Sequence, residues 1–340
     1  MLLSDFDYHL PPERIAQRPI EPRDAARLLV LPRAGGPVEH RVFRDLPCYL
    51  RPGDLLVLND TRVLPARLQG RKVGTGGRVE VLLLREHPGD RWEALVSPGR
   101  RLQVGARLEF ASELWAQVVA RAPGGARVLQ FAAPDRVRAR MLEAGVVPLP
   151  PYIHVPLEQP ERYQTIYAAI DGSSAAPTAG LHFTPELLAQ VEAMGVALLR
   201  ITLHIGMATF RPIKVADIEQ HEMHTEHYLV TDQVAQALGA ARAAGRRVIA
   251  VGTTTARALE SAADDTGRVR AQAASTSLFI RPGYTFKVLD GLVTNFHMPR
   301  STLLVMVCAF AGRERVLAAY REALAGDYRF LSFGDAMLIV

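Results

Sequence analysis

Between residues 66 and 149 the chain changes period, and no single uniform layer can hold both kinds of sequence. The segments 78–85, 91–96, 106–110, 115–119 and 126–131 are short and largely alternate apolar with polar residues. Glycine-bearing turns separate several of them, including 74–77 and the pair Gly124 and Gly125. Short strands at regular spacing with such turns predict a small antiparallel β-barrel. The flanks read differently. Residues 53–59, with the apolar run 55–58 at their centre, read as a buried strand ending at a polar segment. Thr184 with Pro185 opens a helix that Gly195 closes, and 196–205 reads as a strand. Thr231 caps a second helix ending near Gly245, and 246–251 is the next strand. Helix, strand and helix follow at about 254–263, 289–295 and from Ser301, with a last amphipathic helix over 313–325. Strand and helix alternate, which predicts an α/β layered domain with a largely parallel sheet. The expected organisation is therefore residues 1–65 and 150–340 as the α/β domain, with residues 66–149 as an inserted β-barrel. The proline-rich stretch 148–152 serves as a rigid return linker.

With 340 residues and 49% hydrophobic content, the chain can bury two cores. The longest apolar run, 303–311, is far short of the roughly 18 residues of a membrane span. The acidic N-terminus lacks the layout of a signal peptide, so the expected compartment is the cytoplasm, with no membrane association. Cys48 and Cys308 are read as small buried residues without a disulfide. The net charge of +5 is uneven: residues 66–150 hold 14 basic and 8 acidic side chains, an excess of +6, so the remainder carries −1. Only three lysines stand against 37 arginines, so arginine richness by itself carries no nucleic-acid signal. The concentration of positive charge in the insertion does point to RNA.

Polar residues gather at predicted strand ends, where open α/β sheets place ligands. Gly252, Thr253, Thr254, Thr255 and Arg257 follow the 246–251 strand and open a helix whose free amides and dipole attract an anion. Threonine capping alone explains the same residues. No Walker or dinucleotide glycine pattern is present. Thr178, Gly180, His182 and Phe183 form one loop, and His204 and Gly206 end a strand. Asn295, Phe296 and His297 end another. Histidine is the usual general base near neutral pH, so His182, His204 and His297 are candidate bases, although each position also suits a satisfied core histidine. His221, His224 and Glu226 form a second candidate set. Their spacing fails the two-histidine metalloprotease pattern, and we expect no metal there. Asn59, Asp60 and Arg62 follow the first buried strand and read either as a turn or as substrate contacts. Arg329 and Asp335, within an aromatic C-terminal segment, read either as base and phosphate contacts or as closure of the core.

These segments, in this order, resemble the S-adenosylmethionine:tRNA ribosyltransferase-isomerase family of queuosine biosynthesis. The resemblance spans nearly the whole chain. It runs from Asp5 to Pro11 and 23–30, through 53–63, 148–153 and 163–165, to the Ala175–Phe183 block. The Thr202–Gly206, His221–His227, 251–254, 294–297, 301–304 and 328–337 segments follow in family order. Family members commonly carry Gly where this chain has Ala208, and Ser-Val where it has Thr255 and Ala256. The resemblance implies transfer of the ribosyl group of S-adenosylmethionine to the aminomethyl group of 7-aminomethyl-7-deazaguanine at the tRNA wobble position. Isomerisation gives epoxyqueuosine, and adenine and methionine leave. S-adenosylmethionine is then a substrate, no cofactor is bound, the tRNA is the macromolecular partner, and a monomer is expected. The same resemblance makes the residues named above its catalytic and substrate-binding candidates. A non-catalytic RNA-binding protein and a conventional S-adenosylmethionine methyltransferase are the alternatives, with a hydrolase on His221 and His224 behind them.

Overall fold

The computed structural model describes residues 1–133, 135–206 and 213–340. The strands, in chain order, are β1 (Arg27–Leu31), β2 (Glu39–Val42), β3 (Leu55–Asn59), β4 (Thr61–Val63), β5 (Arg67–Lys72), β6 (Arg78–His87), β7 (Arg91–Ser97), β8 (Arg107–Phe110) and β9 (Trp115–Arg121). They continue with β10 (Arg127–Ala132), β11 (Gly145–Val146), β12 (Ile170–Ser173), β13 (Ala197–His204), β14 (Glu226–Val230), β15 (Val248–Val251), β16 (Gln272–Thr276), β17 (Gly291–Asn295) and β18 (Ala336–Ile339). The α-helices are α1 (Val137–Ala144), α2 (Pro185–Ala193), α3 (Asp232–Ala243), α4 (Thr253–Ala262), α5 (Thr302–Ala311) and α6 (Arg313–Ala325).

The chain divides into two compact units. The first comprises Met1–Arg62, Pro150–Ile170 and Ala176–Val340; the second comprises Val63–Leu149 with Asp171–Ala175. The short Asp171–Ala175 piece, which no sequence signal marked, counts with the second unit.

The first unit is built on a nine-stranded mixed sheet in the order β16-β14-β13-β3-β15-β17-β18-β1-β2. Its centre, β13, β3, β15 and β17, is parallel. Antiparallel neighbours flank it on both sides. The central strands are apolar because helices and turns cover both faces: every residue of β3, β15 and β17 is buried. The helices start where local chemistry predicts. Thr184, Thr231 and Ser301 each accept the backbone N–H three residues on, at 3.2, 3.4 and 3.2 Å. Two pairs of strands escape the sequence reading, β1 with β2 and β14 with β16. Both lie beyond the parallel centre; β2, β14 and β16 are partly exposed, whereas β1 is buried over Leu28–Leu31.

The second unit is a closed six-stranded antiparallel barrel, β5-β6-β7-β10-β9-β8, completed by pairing of β5 with β8. Its strands alternate in burial as their sequences do, for example in β9 and β8. Closure needs Gly70, because a Cβ there would stand 2.4 Å from the Glu109 carbonyl and 2.6 Å from the Phe110 ring. Strand β5 and helix α1 are additions to the sequence-based expectation. So is the state of Cys48: Cys308 is buried as expected, but Cys48 is exposed. It sits in the 3-10 turn Phe43–Tyr49, whose buried residues are Phe43, Leu46 and Pro47. Among the described residues no helix is long and apolar enough to cross a membrane.

Candidate active site

The carboxyl ends of β13, β15 and β17 open onto one cleft in the first unit. Its cavity volume is about 130 Å³, within a depression of about 900 Å³ that includes open solvent. Of the residues singled out from sequence, Thr178, Gly252, Thr253, Thr254, Asn295, Phe296 and His297 line it. Strand ends converge there because parallel strands start their following turns on the same edge of the sheet.

One wall is the start of α4. Gly252 is its cap and carries no side chain to occupy the first amides. The hydroxyl of Thr255 turns back onto the Val251 carbonyl at 2.7 Å. Thr253 and Thr254 remain at the cleft surface. Beside that wall lies the 3-10 turn Thr178–His182, whose Ala179 would meet a Cβ on Gly252 at 3.8 Å. Its Gly180 packs where no side chain fits: a Cβ would stand 2.1 Å from the Tyr167 hydroxyl and 2.8 Å from Thr165. Phe183 leaves the site altogether and is fully buried against Phe43 and Tyr167.

The histidines differ in their surroundings. His297 lines the cleft. Its Nε2 is 2.8 Å from the Thr294 hydroxyl, which also lies 3.2 Å from the Asn295 carbonyl. A carbonyl only accepts, so all three groups are satisfied when Thr294 donates to it and receives the His297 Nε2–H. The lone pair then sits on Nδ1. Burial pushes the His297 pKa down to about 3, keeping the ring neutral. His182 is buried and stacked on Phe43 at 4.9 Å. Its Nε2 lies 3.2 Å from the Asn295 amide nitrogen. Burial, with Arg329 and Arg23 adding repulsion, lowers its pKa to about 3. His204 holds the Thr61 hydroxyl on Nδ1 at 2.8 Å.

The second candidate set lies beside α4 and does not line the main cleft. Glu226 is buried and forms an ion pair with Arg257. It also contacts His224 at 3.1 Å and accepts the Gly206 N–H at 3.0 Å. Burial lowers Arg257 to about 10, so it stays charged at neutral pH. Burial and the neighbouring His224 lower His221. Arg257 lines a smaller pocket that shares Thr253, Thr254 and Leu303 with the main cleft. Among the described residues no group of three or more histidine, cysteine and acidic side chains is placed to hold a metal.

Several remaining candidates sit in structural bonds. The Asn59 amide takes both backbone groups of Leu203 at 3.0 Å, tying β3 to β13. Asp60 accepts the Thr202 hydroxyl at 2.7 Å. Arg62 pairs with Glu161 at 2.5 Å. Asp335 is buried and accepts the backbone N–H groups of Arg27 and Arg329 at 2.9 and 2.7 Å. Arg329 is part-exposed and reaches the Arg18 carbonyl at 3.3 Å. Ala208 lies outside the described residues.

Sequence reasoning passed over Tyr152, Leu331 and Ser332, which also line the cleft. The Tyr152 and Ser332 hydroxyls meet at 2.7 Å. Leu331 holds a left-handed backbone at φ 71°, unusual for a branched side chain. The aromatic pattern around it gave a partial signal, but nothing local marks a leucine for this position.

A family model described as queuosine biosynthesis protein matches residues 3–339. The S-adenosylmethionine:tRNA ribosyltransferase-isomerase of Moorella thermoacetica is 55% identical over 342 residues, covering 100% of both chains. That of Symbiobacterium thermophilum is 56% identical over 341 residues, again covering both chains in full. The crystal structure of an S-adenosylmethionine tRNA ribosyltransferase from Thermotoga maritima matches with a TM-score of 0.57 at 40% identity. It covers 99% of this chain and 100% of that one. This chain therefore belongs to the queuosine biosynthesis protein family of S-adenosylmethionine:tRNA ribosyltransferase-isomerases.

Proposed function

We propose that this protein transfers the ribosyl group of S-adenosylmethionine to the aminomethyl group of 7-aminomethyl-7-deazaguanine at the tRNA wobble position. Isomerisation then gives epoxyqueuosine, with release of adenine and methionine. The observation that carries this reading is the cleft on the carboxyl edge of the parallel strands, in a chain matched by the family over nearly its full length. S-adenosylmethionine is consumed as a substrate, and the chemistry calls for no bound cofactor. A monomer acting in the cytoplasm, where tRNA is modified, fits this reading.

The residues divide the work as follows. The first amides of α4 and the Thr253 and Thr254 hydroxyls receive the methionine carboxylate. The sulfonium acidifies the adjoining 5′ carbon. His297 lines the cleft with its lone pair on Nδ1 and is the base we assign. With burial holding its pKa at about 3 the free ring is a weak base, so the step depends on the bound substrate changing the ring's surroundings and on the sulfonium acidifying the carbon. The 5′ C–H bond breaks, an N–H bond forms at Nδ1, and the electron pair stays on carbon beside the positive sulfur. The exposed cations of the barrel, Arg78, Arg91 and Arg107 among them, meet tRNA phosphates.

The test is chromatographic. The protein is incubated with S-adenosylmethionine and an anticodon stem-loop carrying 7-aminomethyl-7-deazaguanine. Release of adenine and methionine only with the modified RNA is the expected result; release of neither refutes the reading. His297→Gln should lower turnover at least about 100-fold, the usual share of a general base, while S-adenosylmethionine still binds. Changing Arg78, Arg91 and Arg107 to glutamine should flatten the salt dependence of RNA binding, by about one unit of slope per lost contact.

A further inference from the structure

We infer that Asn295 reads a hydrogen-bond donor of bound S-adenosylmethionine through its Oδ1 atom, with the Leu331 carbonyl setting the amide's orientation and His182 the positioning residue that steadies it by accepting the second N–H. This deepens the reading proposed above and rests on it.

The amide of Asn295 has two N–H donors and one acceptor oxygen. Both donors are used inside the protein: Nδ2 lies 3.1 Å from the Leu331 carbonyl and 3.2 Å from His182 Nε2. A carbonyl oxygen can only accept, so the nitrogen must face Leu331. A flipped amide would set two oxygens against each other. His182 Nε2 then accepts as well, which puts the imidazole proton on Nδ1. The orientation of Asn295 is thereby fixed, and its Oδ1 has no partner at all. That oxygen is shut off from water, and the side chain is 2% exposed on the wall of the cleft. An unsatisfied buried acceptor destabilises a fold unless something supplies its donor. Among the described residues none places a donor there, and a ligand seated in the cleft would supply one in place of water. S-adenosylmethionine carries donors of the right kind: the adenine amine, two ribose hydroxyls and the α-ammonium.

The same geometry takes His182 out of the set of candidate bases. Its accepting nitrogen is spent on Asn295, and its other nitrogen carries a proton. The competing account is that Asn295 serves only to hold Leu331 in its left-handed conformation, from which Leu331 also donates to the Phe296 carbonyl at 3.1 Å.

The two accounts separate by ligand discrimination. Binding of S-adenosylmethionine is compared by calorimetry with that of four analogues, each lacking one donor: the 6-deamino, 2′-deoxy, 3′-deoxy and des-amino compounds. On the wild-type protein, one analogue should bind about tenfold more weakly. That penalty should vanish in Asn295→Ala. In His182→Leu, where the second amide N–H loses its acceptor and only the Leu331 carbonyl still holds the side chain, discrimination against the same analogue should weaken. In His182→Gln, whose side-chain oxygen can accept from Nδ2, it should be restored. If every analogue is penalised equally in wild type and variants, Asn295 only holds the loop and the inference is overturned. Should Asn295→Ala fail to fold, the two His182 variants carry the same comparison. If S-adenosylmethionine itself does not bind the wild-type protein, the proposed function fails first, and the two failures stay distinct.

Discussion

Acidification offers a quantitative test of how the cleft is built. His182 and His297 are buried, and both are held near pKa 3 against an ordinary 6.5. Their folded values are depressed, so the unfolded chain binds protons that the native state refuses. Stability is then fully present above about pH 6.5 and is lost as the pH falls toward 3. At pH 5 each histidine lies about 1.5 units below its unfolded pKa. At about 1.4 kcal/mol per unit this amounts to roughly 2 kcal/mol per residue, or about 4 kcal/mol for the pair. That is a sizeable share of the 5–15 kcal/mol typical of a domain. The assay is urea unfolding at pH 7 and pH 5. It should be followed by far-UV circular dichroism, because α2 to α6 all belong to the histidine-bearing unit. Tryptophan fluorescence would report the other unit, since Trp92 and Trp115 both lie in barrel strands. His297→Gln and His182→Gln should each remove about half of the extra acid sensitivity. If both variants lose as much stability between pH 7 and pH 5 as the wild type, the two rings are not held neutral by burial and the reasoning fails.

Two further outcomes follow from packing and pairing. Gly180→Ala should cost about 1–3 kcal/mol, read as a lowered melting temperature, because the new methyl group collides with the Tyr167 hydroxyl. Arg257→Ala should cost about 3–5 kcal/mol by the same measurement, because it removes the buried cation paired with the buried Glu226 carboxylate. Replacing both partners with apolar residues should recover much of that loss.

Much of the architecture is legible without coordinates because it rests on local periods. The alternation of the barrel strands, the unbroken apolar run of β3 and the threonine and serine caps of α2, α3 and α5 are each set by residues close in sequence. The clustering of Thr178, Gly252–Thr254 and Asn295–His297 was legible for a related reason: parallel strands deliver their carboxyl ends to one edge. What each of these side chains does was not. Asn59 and Asn295 are the same residue type, each at the end of a buried strand. One spends its amide on the backbone of Leu203, and the other keeps an acceptor free in the cleft wall. Phe183 lies within the loop of Thr178 yet turns into the core. His182 and His297 both commit Nε2, one as an acceptor and the other as a donor, through partners 113 and 3 residues away. Hydrogen bonds of that span depend on where distant strands come to rest, so the sequence by itself determined the framework and the location of the cleft. Only the tertiary structure decided which polar groups remain available inside it.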